Sequence, residues 1–219
     1  TAVHLVTFDT GVDGLAAREP VEVPDGSAVP ADTEWPDWTV GATDVRDGYE
    51  FLGWFDGTGD DATAIAATDS FPLTDDGAAT YYAKWTKNHV KVSFDANIDG
   101  VDDPEAWMGL TGDPLATDTR TELPSLAGKK TGYTFDGWYT ESGAAGEDGQ
   151  PAWGEKITID GTFPVAEPNG TTDDGEALYN VTYYGKWTAK TVSITFSGNG
   201  GAIKTGEGDL TEESRTVSA

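Results

Sequence analysis

Gly48-Tyr49-Glu50-Phe51-Leu52-Gly53-Trp54-Phe55 recurs downstream as Gly132-Tyr133-Thr134-Phe135-Asp136-Gly137-Trp138-Tyr139, and this doubled stretch decides how the chain is divided. Each copy is followed by a second aromatic signature, Tyr81-Tyr82-Ala83-Lys84-Trp85-Thr86 and Tyr183-Tyr184-Gly185-Lys186-Trp187-Thr188. Self-similarity of this kind identifies a tandem array and sets the unit in which stability and function are read. Alternation along an extended chain puts Tyr49, Phe51, Gly53 and Phe55 on one face and Glu50, Leu52 and Trp54 on the other, with the same parity in the second copy. In the closing signature Ala83 or Gly185 falls between two rings on one face. This is read as space for a ring arriving from another strand, with a bulge as the alternative.

Working outward, an opening strand precedes each copy and appears a third time. Val6-Thr7-Phe8-Asp9, Val92-Ser93-Phe94-Asp95 and Ile194-Thr195-Phe196-Ser197 align, apolar residues two apart. The two intervals differ, and the extra length of the second copy lies between Trp138 and Trp187. The sequence therefore divides into residues 1–87, residues 88–189 with longer loops, and residues 190–219 as the start of a third, incomplete repeat. The junctions at Thr86 to His89 and at Thr188 to Thr191 are too short to act as free linkers, which predicts a limited hinge range. Because the third segment lacks both Trp signatures, Val192 to Phe196 is expected to pair with a neighbour.

The ordered set of an Asp-containing opening turn, a Gly-Tyr-x-Phe-x-Gly-Trp centre and a Tyr-x-Ala/Gly-Lys-Trp-Thr close resembles the internalin B-repeat, or Listeria/Bacteroides repeat, of bacterial surface proteins. Asp9-Thr10-Gly11-Val12-Asp13-Gly14 lacks the Asn of the family's opening turn, and Asp95-Ala96-Asn97-Ile98-Asp99-Gly100 lengthens it. The resemblance implies a mainly β, α+β fold of tandem small β-grasp-like (ubiquitin-like) modules. It also implies a stalk or adhesive unit on the bacterial cell surface or cell wall, partnered by neighbouring repeats of the same chain.

Short helical turns are expected in three places. Asp103-Pro104-Glu105-Ala106-Trp107-Met108 has a capping Asp and a Pro at the first helical position, with Gly109 and Gly112 keeping it short. Ala62 to Ala67 has a weak helical pattern, and Thr33 to Asp47 reads as a helical turn or a loop over the sheet. Ser142 to Gly154, rich in Gly and Ala, the acidic Glu167 to Gly175 and Lys156 to Phe163 together contain the extra length of the second copy, read as an elaborated loop or an added hairpin through Ile157 and Ile159.

Composition narrows the function classes. Formal charge is −26, carried largely by Asp in pairs such as Asp60-Asp61 and Asp173-Asp174, a field that repels nucleic acid and anionic membranes. There is no Cys, which removes disulfides, thiolate catalysis and zinc-thiolate sites. No run approaches the length of a membrane helix, so direct membrane insertion is not expected. The chain begins at Thr1 without a visible signal peptide and reads as an excised or mature piece.

Candidate chemistry is sparse. The only histidines, His4 and His89, occupy corresponding places, which suggests a structural role in the repeat rather than a catalytic dyad. No enzyme, catalytic residue or cofactor is predicted. Asp95, Asn97, Asp99 and Gly100 match the first half of a calcium loop, but the bidentate Glu is missing because Ala106 stands there. A polar turn is the preferred reading, and no metal ligand is assigned. Trp35, Trp38, Trp107 and Trp153 lie in predicted loops, where they either cover a thin core or stack on a host glycan or protein. Lys84 and Lys186 should point outward, against a covalent Lys–Asn crosslink.

Overall fold

A computed structural model describes residues 3–15, 19–24, 40–65, 78–147, 149–197, 203–205, 208–210 and 212–218. Among these residues the chain is mainly β, with thirteen strands and no helix. In order they are β1 (Val3–Asp9), β2 (Val21–Pro24), β3 (Tyr49–Phe55), β4 (Ala78–Lys87), β5 (His89–Asp95), β6 (Trp107–Leu110), β7 (Tyr133–Tyr139) and β8 (Gly170–Thr171). They continue with β9 (Ala177–Ala189), β10 (Thr191–Ser197), β11 (Ile203–Thr205), β12 (Gly208–Leu210) and β13 (Glu212–Ser218). Trp35, Trp38, the Phe71-Pro72-Leu73 stretch and the Asn199-Gly200-Gly201 turn lie outside the described residues.

The first sheet has the order β2-β1-β4-β3. Its central pair, β1 and β4, is parallel, with Val6 opposite Ala79 and Phe8 opposite Tyr81, while β2 and β3 pair antiparallel on either side. The second sheet repeats that order as β6-β5-β9-β7, with β8 added on β9. By contacts the chain forms two compact units. One holds Thr1–Val90, Gly109–Asp113 and Phe163–Asn180, and the other Lys91–Met108, Pro114–Thr162 and Val181–Ala219.

Within the first unit, Val6, Phe8, Phe51, Trp54 and Tyr81 form a buried cluster, and Ala83 and Trp85 pack against it. Phe51 and Trp54 both being buried contradicts strict alternation, under which they face opposite ways. The cause is a β-bulge: Phe51 pairs with Trp85 and Gly53 with Lys84, so Leu52 is an extra residue and is exposed. Gly53 sits at φ +118°, a backbone conformation that L side chains rarely adopt. The extra residue turns the strand so that Trp54 rejoins the face of Phe51.

The second unit repeats the device. Phe135 pairs with Trp187 and Gly137 with Lys186, and Gly137 is also at φ +118°. The resulting chain of rings is the same in both units to within a few tenths of an ångström. The opening Phe meets the central Trp at 5.0 Å (Phe8–Trp54) and 4.9 Å (Phe94–Trp138). The central Phe meets that Trp at 5.6 Å and 5.3 Å (Phe51–Trp54, Phe135–Trp138). The closing Trp lies 5.2 Å and 5.1 Å from the central Phe (Phe51–Trp85, Phe135–Trp187). Edge and tilted contacts of this kind contribute about 1 kcal/mol each beyond their area.

The place kept open beside Gly185 is filled by backbone rather than by a ring. A Cβ there would stand 2.7 Å from the Ala96 carbonyl oxygen. That oxygen accepts the Trp187 Nε1–H at 2.7 Å, and the Thr10 carbonyl accepts from Trp85 in the same way at 3.1 Å.

The expected helical turns are not formed among the described residues. Residues 101–106 are irregular and Trp107 opens β6. The Asp103 carboxylate accepts the Ala96 N–H at 2.7 Å instead of capping a helix, and Trp107 packs 5.0 Å from Phe94 with Arg120 stacked 4.4 Å from its ring. These tertiary contacts outweigh a weak local preference. In the Ala62 to Ala67 stretch, Ala64 bridges to Phe55 and Ile65 N–H donates to the Trp54 carbonyl, so the chain returns along β3. Ile157 N–H bonds the Trp138 carbonyl in the same manner. The extra length of the second copy forms an irregular hairpin over residues 140–155 and the β8–β9 hairpin.

Replacing Gly53 by Ala leaves room for the methyl, whose nearest neighbour is Val40 Cγ2 at 3.6 Å, and so tests the backbone alone. We expect Gly53→Ala to lose about 1–3 kcal/mol in a urea melt followed by Trp fluorescence. A loss below the error of the fit would show that the bulge does not need a glycine.

Candidate functional site

The residues singled out by sequence do not converge. His89 Nε2 stands 2.8 Å from Glu176 Oε2; the His4 side chain is outside the described residues. In the calcium-like loop, Asp95 Oδ1 accepts the Asn97 N–H at 2.7 Å, which is a turn closed by its own side chain. Asn97 takes the left-handed conformation at φ 55° and donates its amide to the Ser142 and Gly185 carbonyls at 2.9 and 3.2 Å. The Asp99 carbonyl accepts Lys130 Nζ. Among the described residues no group of three or more His, Asp or Glu is placed to hold a metal ion.

The loop tryptophans that the structure describes, Trp107 and Trp153, are half-buried. Trp153 lies over the Gly143 backbone, 5.9 Å from the Tyr139 ring, and Lys186 Nζ sits 5.3 Å from its centroid. Lys186 is thus placed over rings, and its counterpart Lys84 lies 4.6 Å from the Phe55 ring and donates to the Gly59 carbonyl. An open concavity of about 440 Å³ lies nearby, along Thr140–Ser142, Ala144–Gly146, Ala152 and Tyr184, but neither tryptophan lines it.

Sequence reading singled out the two short junctions but not the bonds that hold them. A single residue, Asn88, separates β4 from β5, and a single residue, Lys190, separates β9 from β10. The Asn88 N–H donates to the Gly48 carbonyl at 2.9 Å, and the Lys190 N–H to the equivalent Gly132 carbonyl at 2.7 Å. Both glycines open the doubled stretch, so their shared placement was the available signal. In the first unit Asn88 is 2% exposed, and its carbonyl accepts the Thr111 N–H at 3.0 Å. Lys87 Nζ pairs with Asp113 Oδ1 at 2.5 Å, which raises the lysine pKa through that hydrogen bond. The Asn88 amide and the Thr111 hydroxyl are buried without a hydrogen-bond partner among the described residues.

Beside this junction, Glu167 faces Asp47 and Asp44. Its carboxyl is pushed above the usual carboxylate range, first by lost hydration, then by the charge of Asp47, a hydrogen bond to Asp47 and the charge of Asp44. The side chain is exposed, so solvent screens much of the effect.

With this geometry in place, comparison with known proteins is decisive for the second copy. A family model for the Listeria-Bacteroides repeat domain matches residues 91–159. This stretch is thus similar to the Listeria-Bacteroides repeat. The chain is 35% identical over 109 residues to Internalin H of Listeria monocytogenes serovar 1/2a, which takes in 46% of this chain and 17% of that protein. It is 27% identical over 161 residues to a protein of Evansella cellulosilytica described as a Gly-rich membrane protein, covering 72% of this chain and 16% of the relative. The chain therefore spans about a sixth of the length of the curated relatives it matches. The Listeria-Bacteroides repeat match begins inside β5 and runs through β7, so it includes the opening strand, the calcium-like turn and the bulged central strand.

Two outcomes follow for the junction. Thr111→Val removes a buried hydroxyl without changing its shape and should raise stability by about 1 kcal/mol in chemical denaturation. A loss of similar size would instead show the hydroxyl to be bonded. For Glu167, a folded pKa above the ordinary carboxyl value of 4.5 means that the folded state holds its proton more tightly than the unfolded state. Stability should therefore rise as pH falls from 7 towards 4.5, and Glu167→Gln should melt above the parent at pH 7 and level with it below 4.5. Equal melting of the two at pH 7 would contradict the crowding of these carboxylates.

Proposed function

We propose that the chain is a non-enzymatic, extracellular repeat segment of a bacterial surface protein, acting as a stalk or spacer in which folded repeats follow one another without free linker. The observation that carries this reading is the single-residue junction, made twice and anchored each time to the glycine ahead of the central strand. A tether built for flexible reach has Gly/Ser-rich linkers. The repeat family and the relatives named internalin and membrane protein support placement at the cell surface or in the cell wall. Each repeat is read as a β-grasp-like module, supported by the mixed order β2-β1-β4-β3 with a parallel centre and by the same order in the second sheet.

On this reading Trp107 and Trp153 stiffen loops and are not presented to a ligand. Contacts with a neighbouring repeat are the expected partnership, and adhesive contacts are secondary. Two measurements test the role together. Dye pairs across Asn88, one dye at Thr58 and one at Glu122, should give a narrow distance distribution that does not change with salt. Arrays of glycans and of serum proteins should find no ligand. A broad distribution would end the spacer reading. Specific capture of a glycan or protein that is lost in Trp153→Ala would replace it with a binding module.

A further inference from the structure

Residues 163–180 belong by contacts to the first unit, together with residues 1–90 and 109–113. Both ends of the segment are seated there. At the start, the Phe163 N–H donates to the Asp113 carbonyl at 2.8 Å, and Val165 lies on the Gly48 backbone, its Cγ1 3.0 Å from where a Cβ would stand. Towards the end, Glu176 Oε2 stands 2.8 Å from His89 Nε2, and Leu178 is buried. Between these points the chain turns back on itself as the β8–β9 hairpin, where the Asn169 side chain clamps both the N–H and the carbonyl of Asn180.

Charge works against this seat. The segment carries Glu167, Asp173, Asp174 and Glu176 and has no Lys or Arg. The first unit meets it with more carboxylates: Asp44 and Asp47 face Glu167, and Glu50 faces Pro168, Gly170 and Thr171 across an open cavity of about 280 Å³. Two cations of the same unit are already engaged, Lys87 by Asp113 and Arg46 by the Tyr49 ring at 3.7 Å from its centroid. When all the carboxylates are ionised, their repulsion loosens the segment.

Protons reverse this at two places. A protonated His89 presents a positive charge to Glu176, and imidazoles as a class gain that charge between about pH 8 and pH 5. The hydrogen bond between Glu167 and Asp47 needs one proton shared by two carboxyls, which also removes a repulsion. One contact gains attraction and the other loses repulsion, so both favour the seated segment as pH falls and weaken it as pH rises. We infer that residues 163–180 are an acid-tightened strap on the first unit, fastened by His89 on Glu176 at one end and by Glu167 on Asp47 at the other. This inference does not depend on the spacer role.

A two-stranded hairpin is marginal in water by itself, so its amides report whether the strap is seated. The Asn169 and Thr172 N–H groups, which donate to the Leu178 and Glu176 carbonyls, serve as the probes in the whole chain. Their exchange rates, each divided by the unstructured rate at the same pH, should show protection rising about two- to fivefold from pH 8 to pH 5, the size expected of exposed charge pairs. In about 1 M salt the rise should shrink, because screening acts on both contacts. His89→Gln should remove the part of the rise in the imidazole range, Glu167→Gln the part nearest pH 5, and the double variant should be flat. If His89→Gln does not fold, Glu176→Gln removes the same pair from the other side. His4→Gln should leave the rise intact. Protection that is level between pH 8 and pH 5, a double variant that rises as the parent does, or a rise lost in His4→Gln would each overturn the inference. A broad dye-distance distribution across Asn88 would end the spacer role and leave this result standing.

Discussion

The structure depends on one extra residue in a strand. Without the bulge at Leu52 and Gly53, or at Asp136 and Gly137, alternation would send the central Phe and the central Trp to opposite faces. With it, both rings lie on the side of the opening Phe. A chain of edge contacts then runs from the opening strand through the central strand to the closing Trp. For a chain with 37% hydrophobic residues, that gain decides whether a small core closes, because each buried aromatic removes roughly 150–250 Å² from water.

The second constraint is the tie at the closing Trp. Its indole N–H reaches back to the carbonyl that follows the opening Phe, Thr10 in one unit and Ala96 in the other. A buried indole donor needs a partner, and a backbone carbonyl at the end of a strand supplies one without a specific side chain. The Ala96 carbonyl comes so close to Gly185 that no side chain fits between them. Local sequence at the closing strand and tertiary contact at the opening strand are therefore one requirement seen from two places.

Much of this was legible in the sequence, and the rest was hidden for definite reasons. The doubled Gly-Tyr-x-Phe-x-Gly-Trp stretch located β3 and β7, the Tyr-Tyr signatures located β4 and β9, and the three aligned Phe residues located β1, β5 and β10. The bulge was not legible because a period-two pattern with a single Gly reads the same whether or not a residue is extra. The Asp103-Pro104 start carried a real local preference for a helix. It lost to Phe94, Arg120 and the Ala96 N–H, none of which is adjacent in sequence. The junction bonds were hidden for the opposite reason: they are made by backbone atoms of Asn88 and Lys190, which no side-chain pattern announces. At the candidate site, the Asp95 turn was readable as turn chemistry, whereas the inward packing of Trp153 required the hairpin at 140–155 to be known first.

The acidic surface and the aromatic core solve separate problems, and the junction is where they meet. A charge of −26 works against folding wherever carboxylates are brought together. Asp44, Asp47 and Glu167 are such a place, and Glu167 answers by holding its proton more tightly. Lys87 is set against Asp113 a short distance along the chain from the same junction. An exposed pair of this kind contributes little by itself. Its place beside a one-residue connection gives it a different use: it fixes the end of β4 immediately before Asn88, where any slack in the chain would have to begin. Both junction residues have their N–H groups committed to the carbonyl of a glycine that opens the doubled stretch, Asn88 to Gly48 and Lys190 to Gly132, so the backbone is held at the residue where one strand ends and the next begins.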